Sequence, residues 1–250
     1  MKFVRIVAIA ACALAPTFPH TALSATDVAD PVLVRATEIR DRFVTAMRDC
    51  GVEPPFVPEV IVDSHPSIVS YWHDDRAVHL SRWNEVPPDV QGMVSGWAAS
   101  GTMGLGSEAM FGEIFNSLLV AHELGHYMHF ISGRYRKIDN WEGEVEANRI
   151  AIAFWSLASD DAAKLPSRIA NFNVFLEKLP NPVPANEDTR AYFVANYEKL
   201  GRDAMAYGWY QGKFMRVAWD ARNDKDFCDW ARVNAPTPDM LAPENQAKGK

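Results

Sequence analysis

Cysteine is scarce in this sequence, which contains only Cys12, Cys50 and Cys228 in 250 residues. Neither Cys50 nor Cys228 has a partner at the short spacing that cysteine-based zinc motifs require, so such a metal site is excluded for them. In an oxidising compartment the two would instead form one disulfide that ties the first helix to the last. Two separate buried thiols are the alternative, and the sequence leaves both open.

An excess of positive charge is also missing. The chain has 25 lysines and arginines against 32 aspartates and glutamates, for a net charge of −7. No basic run suits nucleic acid or an anionic membrane surface, so both partner classes are excluded. The glycine-rich stretch 84–106 lacks both the Gly-Lys-Ser/Thr ending of a phosphate-binding loop and the spacing of a dinucleotide-binding loop.

The first 25 residues predict a signal peptide. Lys2 and Arg5 precede an apolar run at 6–15, and small residues at 22–25 offer a cleavage site. The run is too short to span a membrane. We therefore expect an exported protein, periplasmic or secreted, with no membrane span in the mature chain. A disordered tail or lipoprotein processing at Cys12 are the alternatives, although almost no apolar region precedes that cysteine.

The rest of the chain shows no internal repeat and no low-complexity linker. We expect a single domain at 26–234 and a disordered tail at 235–250. Helical spacing of apolar residues over 107–132 predicts a long helix that stops at Gly133. The chain after it is predicted to be helical, with breaks that include Pro166.

The N-terminal half combines a helix with strands. Apolar spacing predicts a helix over 30–51, β-rich residues predict a strand at 59–63, and a hairpin follows around the polar turn 73–76. Glycine and proline predict a loop over 84–106. Strands first and helices after them indicate an α+β fold, with a small, mostly antiparallel sheet followed by a helical C-terminal half.

The segment LLVAHELGHYMHF, residues 118–130, carries the strongest chemical signal. His122 and His126 lie four apart, so a helix places both imidazoles on one face, where they can bind a single ion. Glu123 starts from the same turn and can reach a water bound to that ion. The His-Glu-x-x-His order is that of zinc hydrolases, although buried core histidines are the alternative.

A catalytic zinc site needs a third protein ligand. The next predicted helix, WEGEVEANRIAIAFW, begins with glutamates at alternate positions. Glu144 lies 18 residues after the second histidine and is followed by Ala147 and Asn148, which gives the pattern Glu-x-x-Ala-Asn. Glu142 and Glu146 are rival third ligands.

Together these motifs resemble the gluzincin superfamily of zinc metallopeptidases. In that superfamily His-Glu-x-x-His is followed by a glutamate ligand on a second helix, often in a Glu-x-x-small-Asp/Asn pattern. The resemblance covers two helices and implies a zincin-like fold with one Zn²⁺ per chain, bound by His122, His126 and Glu144. It implies that Glu123 is the general base. Asn148 would lie behind the ligands and accept an imidazole N–H, where many relatives have aspartate.

Other histidines do not complete the site. A metzincin would need a histidine six residues after His126, and that position is Ser132. His129 is expected to be a buried or outer-sphere histidine. No histidine follows it, so the oxyanion donor that thermolysin-like relatives take from downstream helices would have to be another residue. The available candidates are Tyr197, Arg202, Tyr207 and Tyr210, each of which is more typical of packing or of a solvated surface.

The resemblance implies a peptidase whose partner is a peptide or protein substrate, and the leader implies that it is exported. We expect the substrate to pair with an edge strand at 78–81. Two alternatives remain open. One is a zinc-dependent hydrolase of a non-peptide amide, and the other is a zinc-holding binding protein without turnover. Glu123 argues against the second, because a structural zinc site needs no base beside its first ligand.

Overall fold

A computed structural model describes residues 29–63, 68–101 and 103–237. The predicted signal peptide and almost all of the predicted tail lie outside the described residues. The described part is α+β, with many helices around a small sheet, as the sequence predicts. No helix within it is long and apolar enough to cross a membrane.

The described strands all lie in the N-terminal half of the chain, after the first helix, and the rest of the described chain is helical. The helices of the described chain are α1 (Pro31–Asp49), α2 (Pro88–Ser100), α3 (Ser107–Glu113), α4 (Leu119–Ile131), α5 (Asn140–Trp155), α6 (Ser159–Leu176), α7 (Thr189–Leu200), α8 (Ala204–Asp220) and α9 (Phe227–Val233). The strands are β1 (Glu59–Val62), β2 (Val69–Trp72) and β3 (Ala77–Leu80).

The three strands form one mixed sheet in the order β1-β3-β2. The predicted strand and hairpin are confirmed, because β2 and β3 pair antiparallel around the turn. The expectation of a mostly antiparallel sheet is wrong: β1 pairs with β3 in parallel. Since β3 lies in the middle with all four residues buried, the predicted edge strand at 78–81 is also wrong, and β2 is the edge next to it.

The helix that carries the histidines is interrupted once and ends as predicted. A π turn, Ile114–Leu118, separates α3 from α4. The indole N–H of Trp155 donates to the Leu118 carbonyl at 3.2 Å, which satisfies an acceptor at this turn. After α4, Gly133 adopts φ of 70°, a left-handed conformation that glycine reaches without strain and that stops the helix.

Two predictions from glycine and proline are wrong. The expected loop contains α2, which starts with Pro88 in the first turn and buries Val90, Val94 and Trp97 along one face. The expected break at Pro166 lies inside α6. Burial of Leu165 and other apolar residues along α6 outweighs the loss of one backbone hydrogen bond, a cost of about 3 kcal/mol.

Buried apolar residues form a main core and a smaller cluster beside it. The main core joins α1, the sheet, α4 and the inner face of α5. The smaller cluster joins α5 to α7 and α8, and it therefore fixes these two helices against the segment that carries Glu144. Its buried members are Val145, Phe193, Leu200, Ala206, Tyr210 and Phe214.

The two cysteines of the described chain form a disulfide. Cys50, at the end of α1, is bonded to Cys228 in α9, 178 residues further along. Of the two alternatives that the sequence leaves open, the structure therefore has the disulfide. It ties the first helix of the described chain to the last.

Candidate metal centre

His122 and His126 project from one face of α4, as their spacing predicts. Their Nε2 atoms are 3.1 Å apart, and the imidazole rings are almost perpendicular. His122 is buried, whereas His126 is partly exposed, so one side of the pair is open to an approaching molecule.

The backbones of α4 and α5 come unusually close beside this pair. A methyl group added to Gly125 would lie 2.9 Å from Cα of Ala147 and 3.1 Å from its carbonyl oxygen. Glycine on α4 and alanine on α5 therefore allow the close approach. This contact gives a structural reason for the small residue at the fourth position of Glu-x-x-Ala-Asn, and it places Glu144, one turn earlier, opposite the histidines.

The carboxylate of Glu144 completes a group of three donors. Its Oε2 lies 3.4 Å from Nε2 of His122, and its Oε1 lies 3.7 Å from Nε2 of His126. Ligand atoms from these three residues all lie within 4.8 Å of one another. Burial opposes the ionisation of Glu144, but hydrogen bonds with the two histidines and their charge outweigh it and hold the pKa of the carboxyl well below its usual range.

These separations fit a small tetrahedral cation. Ligand atoms about 2.0–2.1 Å from zinc at tetrahedral angles lie about 3.3 Å apart, close to the separations observed. Two imidazoles and one carboxylate also form a common donor set of catalytic zinc sites, in which a fourth position stays open. The residues present therefore fit zinc, with His122, His126 and Glu144 as its ligands.

The rival glutamates on α5 point elsewhere. Glu142 is exposed and belongs to the first turn of the helix. Glu146 is buried, but its Oε1 accepts a hydrogen bond of 2.6 Å from Arg134, and its Oε2 lies 3.4 Å from His129. Among the three glutamates, the geometry brings only Glu144 to the histidine pair.

Glu123 is anchored at the sheet. Its Oε2 accepts a hydrogen bond of 2.8 Å from the backbone N–H of Tyr71 on β2. The side chain is largely buried, and its negative charge is one of the influences, together with Glu144, that raise the pKa of His126 against the effect of burial. One carboxylate oxygen is thus held by the backbone beside the candidate ligands.

Helix α8 supplies two donors to Glu144 that sequence reasoning did not assign. The hydroxyl of Tyr207 donates to Oε1 at 2.8 Å, and the amide of Gln211 donates to Oε2 at 2.7 Å. Tyr207 is among the downstream tyrosines that the sequence offers as donors, but Gln211 is not singled out there. The available signal is their spacing, because residues four apart on a helix share one face.

The two residues predicted behind the ligands are both buried. Asn148 donates through Nδ2 to the backbone carbonyl of Glu144 at 2.9 Å. Within the described chain, Oδ1 of Asn148 and Nδ1 of His122 have no hydrogen-bond partner, so the acceptor role of Asn148 stays a prediction. Burial lowers the pKa of His129, which lies over Glu146 and outside the three-donor group.

The remaining oxyanion candidates differ in position. The hydroxyl of Tyr197 lies 3.5 Å from Oε1 of Glu144, and this half-buried tyrosine also lines a cleft of about 690 Å³ beside α7. Arg202 is exposed and lines the same cleft. Tyr210 is buried, with its hydroxyl 3.3 Å from the Thr189 carbonyl, so it is a packing residue.

Comparisons of the chain with protein-family models, with curated proteins and with solved structures found no match. The resemblance to gluzincins therefore depends on the motifs and on the geometry of the three donors.

Proposed function

We propose that this protein is an exported zinc metallopeptidase of the gluzincin type, with a zincin-like fold. The observation that carries the proposal is the convergence of His122, His126 and Glu144 from two helices at separations that suit one zinc ion. Glu123, directly after the first histidine, distinguishes this group from a purely structural zinc site. When bound, zinc supplies Lewis-acid polarisation of a carbonyl group and makes a water molecule acidic near neutral pH.

Glu123 is the general base of this proposal. The Tyr71 N–H holds its Oε2, which fixes the carboxylate while Oε1 is left to take a proton from the attacking water. The same oxygen then delivers that proton to the leaving amine as the peptide bond breaks. Burial of the side chain limits competing bulk water around the carboxylate and strengthens its interactions.

Tyr197 is the hydroxyl best placed to donate to a developing oxyanion. The negative charge of Glu144, followed by burial, raises the pKa of Tyr197, so its hydroxyl keeps the proton that it must donate. Its contact with Glu144 is long, at 3.5 Å, and its ring borders an open cleft. By contrast, the Tyr207 hydroxyl is already committed to Glu144 at 2.8 Å.

Strand β2 is where we place an extended substrate. The Tyr71 N–H points away from β3, towards Glu123, and alternate residues of an antiparallel strand face the same side. The backbone groups of Val69 therefore face away from β3, at the outer edge of the described sheet, where a peptide can add as a further strand. A complex with a substrate mimic that forms no backbone hydrogen bond to Val69 would contradict this placement.

Export is supported by the disulfide, because such bonds persist in oxidising compartments. The predicted signal peptide at residues 1–25 agrees with this proposal but lies outside the described residues. Analysis of the mature N-terminus after expression with the full leader tests it directly. An intact, uncleaved leader in a reducing compartment would contradict export.

The test of activity compares zinc-loaded wild type with Glu123→Gln on a mixed peptide library. We expect cleavage by wild type and a loss of about 10²–10⁴-fold in the variant, since it keeps the shape but loses the base. Zinc content is measured in the same samples and should be equal. If a library of peptides is untouched while a set of non-peptide amides is hydrolysed in a Glu123-dependent way, the peptidase proposal is wrong.

A further inference from the structure

Glu144 is held between two pairs of side chains, each pair spaced four residues apart on one helix. His122 and His126 approach from α4, at 3.4 Å from Oε2 and 3.7 Å from Oε1. Tyr207 and Gln211 approach from α8 and bond Oε1 and Oε2, at 2.8 and 2.7 Å. Each carboxylate oxygen therefore has an imidazole near it and a neutral donor within 2.8 Å, whereas the hydroxyl of Tyr197 lies further away, at 3.5 Å from Oε1.

We propose that Tyr207 and Gln211 form a donor clamp that positions Glu144 as the third metal ligand, an inference that rests on the proposed zinc site. A carboxylate oxygen has two lone-pair directions, so it can accept the clamp on one and face a metal on the other. Both clamp donors are neutral and therefore fix the carboxylate without competing, as a lysine or arginine would, with the charge of the cation.

Burial makes the clamp necessary. Glu144 is 3% exposed, and an ionised carboxylate so far from water is costly unless its oxygens are hydrogen-bonded. The two donors satisfy that requirement and also fix the rotation of the carboxylate. In carboxylate- and histidine-ligand sites such outer partners orient the ligands, and their loss weakens metal binding.

The position of α8 explains how the clamp is held in place. Phe193, Tyr210 and Phe214 pack into the smaller apolar cluster, which fixes α8 against α5. Tyr210, three residues after Tyr207, bonds the Thr189 carbonyl rather than Glu144. The cluster thus supports the helix, whereas the Tyr207 hydroxyl and the Gln211 amide act on the ligand.

The experiment measures zinc affinity by chelator competition in the full chain, for wild type, Tyr207→Phe and Gln211→Met. Each variant keeps the shape of the side chain and removes one donor. We expect zinc binding to weaken about 10–100-fold in each variant. Within the described part of the chain, the Tyr210 hydroxyl bonds the Thr189 carbonyl and the Gln91 amide bonds the Trp83 carbonyl, away from Glu144. Tyr210→Phe and Gln91→Met are therefore the matched controls, and their zinc affinity should equal that of wild type.

A second readout separates positioning from a loss of stability. In the Co²⁺-substituted protein, visible absorption reports the coordination geometry, and we expect the two clamp variants to change it while the controls do not. Thermal unfolding of the metal-free variants checks that each is folded. If one of the two clamp variants does not fold, the other alone is enough to test the proposal. Wild-type affinity and an unchanged spectrum in the folded clamp variants would overturn the clamp alone, whereas a wild type that binds no zinc would overturn both proposals.

Discussion

At the scale of single residues, the chemistry depends on how each carboxylate is held. Glu144 has donors at both oxygens, Glu123 is bonded to a backbone N–H, and Glu146 is occupied by Arg134. In the sequence, these glutamates differ only in their positions relative to the motifs. Glu144 is identified as the third ligand because a small residue and Asn148 follow it at the expected spacing. The structure adds the physical reason, since the environment of each side chain decides whether it faces the histidines.

Asp139 fixes the start of α5, the helix that carries Glu144. It accepts a bond of 2.8 Å from the Glu142 N–H and one of 2.7 Å from Arg190 on α7. Burial opposes ionisation, but these bonds and the charge of Arg190 together outweigh it and lower the pKa of Asp139 from its ordinary 3.8. The stability that Asp139 contributes is therefore complete above pH 3.8 and is lost as the pH falls through the folded-state pKa.

We predict that Asp139→Ala lowers the free energy of unfolding by about 1 kcal/mol near neutral pH, because a helix cap is lost. The difference from wild type should shrink as the pH falls below 3.8, where the unfolded aspartate binds a proton, and through the lower folded-state pKa, where the native aspartate is protonated too. Denaturant unfolding at several pH values measures it. Asp139→Asn, which keeps a capping oxygen, is the control, and a difference from wild type that stays constant down to low pH would contradict the ionic role.

At the scale of elements, the site depends on the close packing of α4 against α5. The motif spacing predicts which residues share a face of each helix, because that is a local property of 3.6 residues per turn. The approach of the two helices at Gly125 and Ala147 is not local, although both residues are part of the motifs. The two small residues are thus present in the sequence because the helices touch at these positions.

We predict that Gly125→Ala weakens zinc binding as well as folding. The added methyl would lie 2.9 Å from Cα of Ala147, so α5 must shift and move Glu144 away from the histidines. Overpacking of this kind costs about 1–3 kcal/mol of stability. Zinc affinity and thermal unfolding of the variant measure both effects.

The control for this substitution is Gly112→Ala on α3, where an added methyl meets nothing within 4 Å. It should leave zinc affinity unchanged and stabilise the protein by about 0.5–1 kcal/mol, because alanine favours the helix. Wild-type zinc affinity in Gly125→Ala would show that the close contact does not position the ligand.

The elements that sequence reasoning misjudged were decided by tertiary packing. Pro88 and the glycines of α2 suggest a loop, yet the helix forms because Val90, Val94 and Trp97 have a core to enter. The donor clamp on Glu144 also could not be predicted from local sequence patterns. Tyr207 and Gln211 lie more than sixty positions from Glu144, and nothing in the sequence states which face of α8 meets α5.

At the scale of the whole molecule, the disulfide connects the two ends of the described fold. Cys50 and Cys228 lie 178 positions apart in the sequence, and the chain between them includes the sheet and all the candidate metal ligands. Linking such distant positions restricts the unfolded chain and so stabilises the folded one. The sequence suggests that these two cysteines could pair, but it does not show whether they form a disulfide or stay as thiols. The proximity of α1 and α9 is a property of the complete fold.

We predict that the double variant Cys50→Ala, Cys228→Ala is about 2–5 kcal/mol less stable than the oxidised wild type. Reduction of wild type should lower its stability by a similar amount, since it breaks the same link. Denaturant unfolding with and without a reducing agent measures this. The double variant must not respond to the reductant, and an equal stability of oxidised and reduced wild type would contradict the role of the disulfide.

The zinc content of the purified protein tests the central claim most directly, with wild type compared with Glu144→Ala and Glu146→Ala. We predict one zinc per wild-type chain, none retained by Glu144→Ala, and one retained by Glu146→Ala, because Glu144 faces His122 and His126 whereas Glu146 is bonded to Arg134. A wild type that binds no zinc when the metal is supplied, or a Glu144→Ala variant that binds it as well as wild type, would contradict the account.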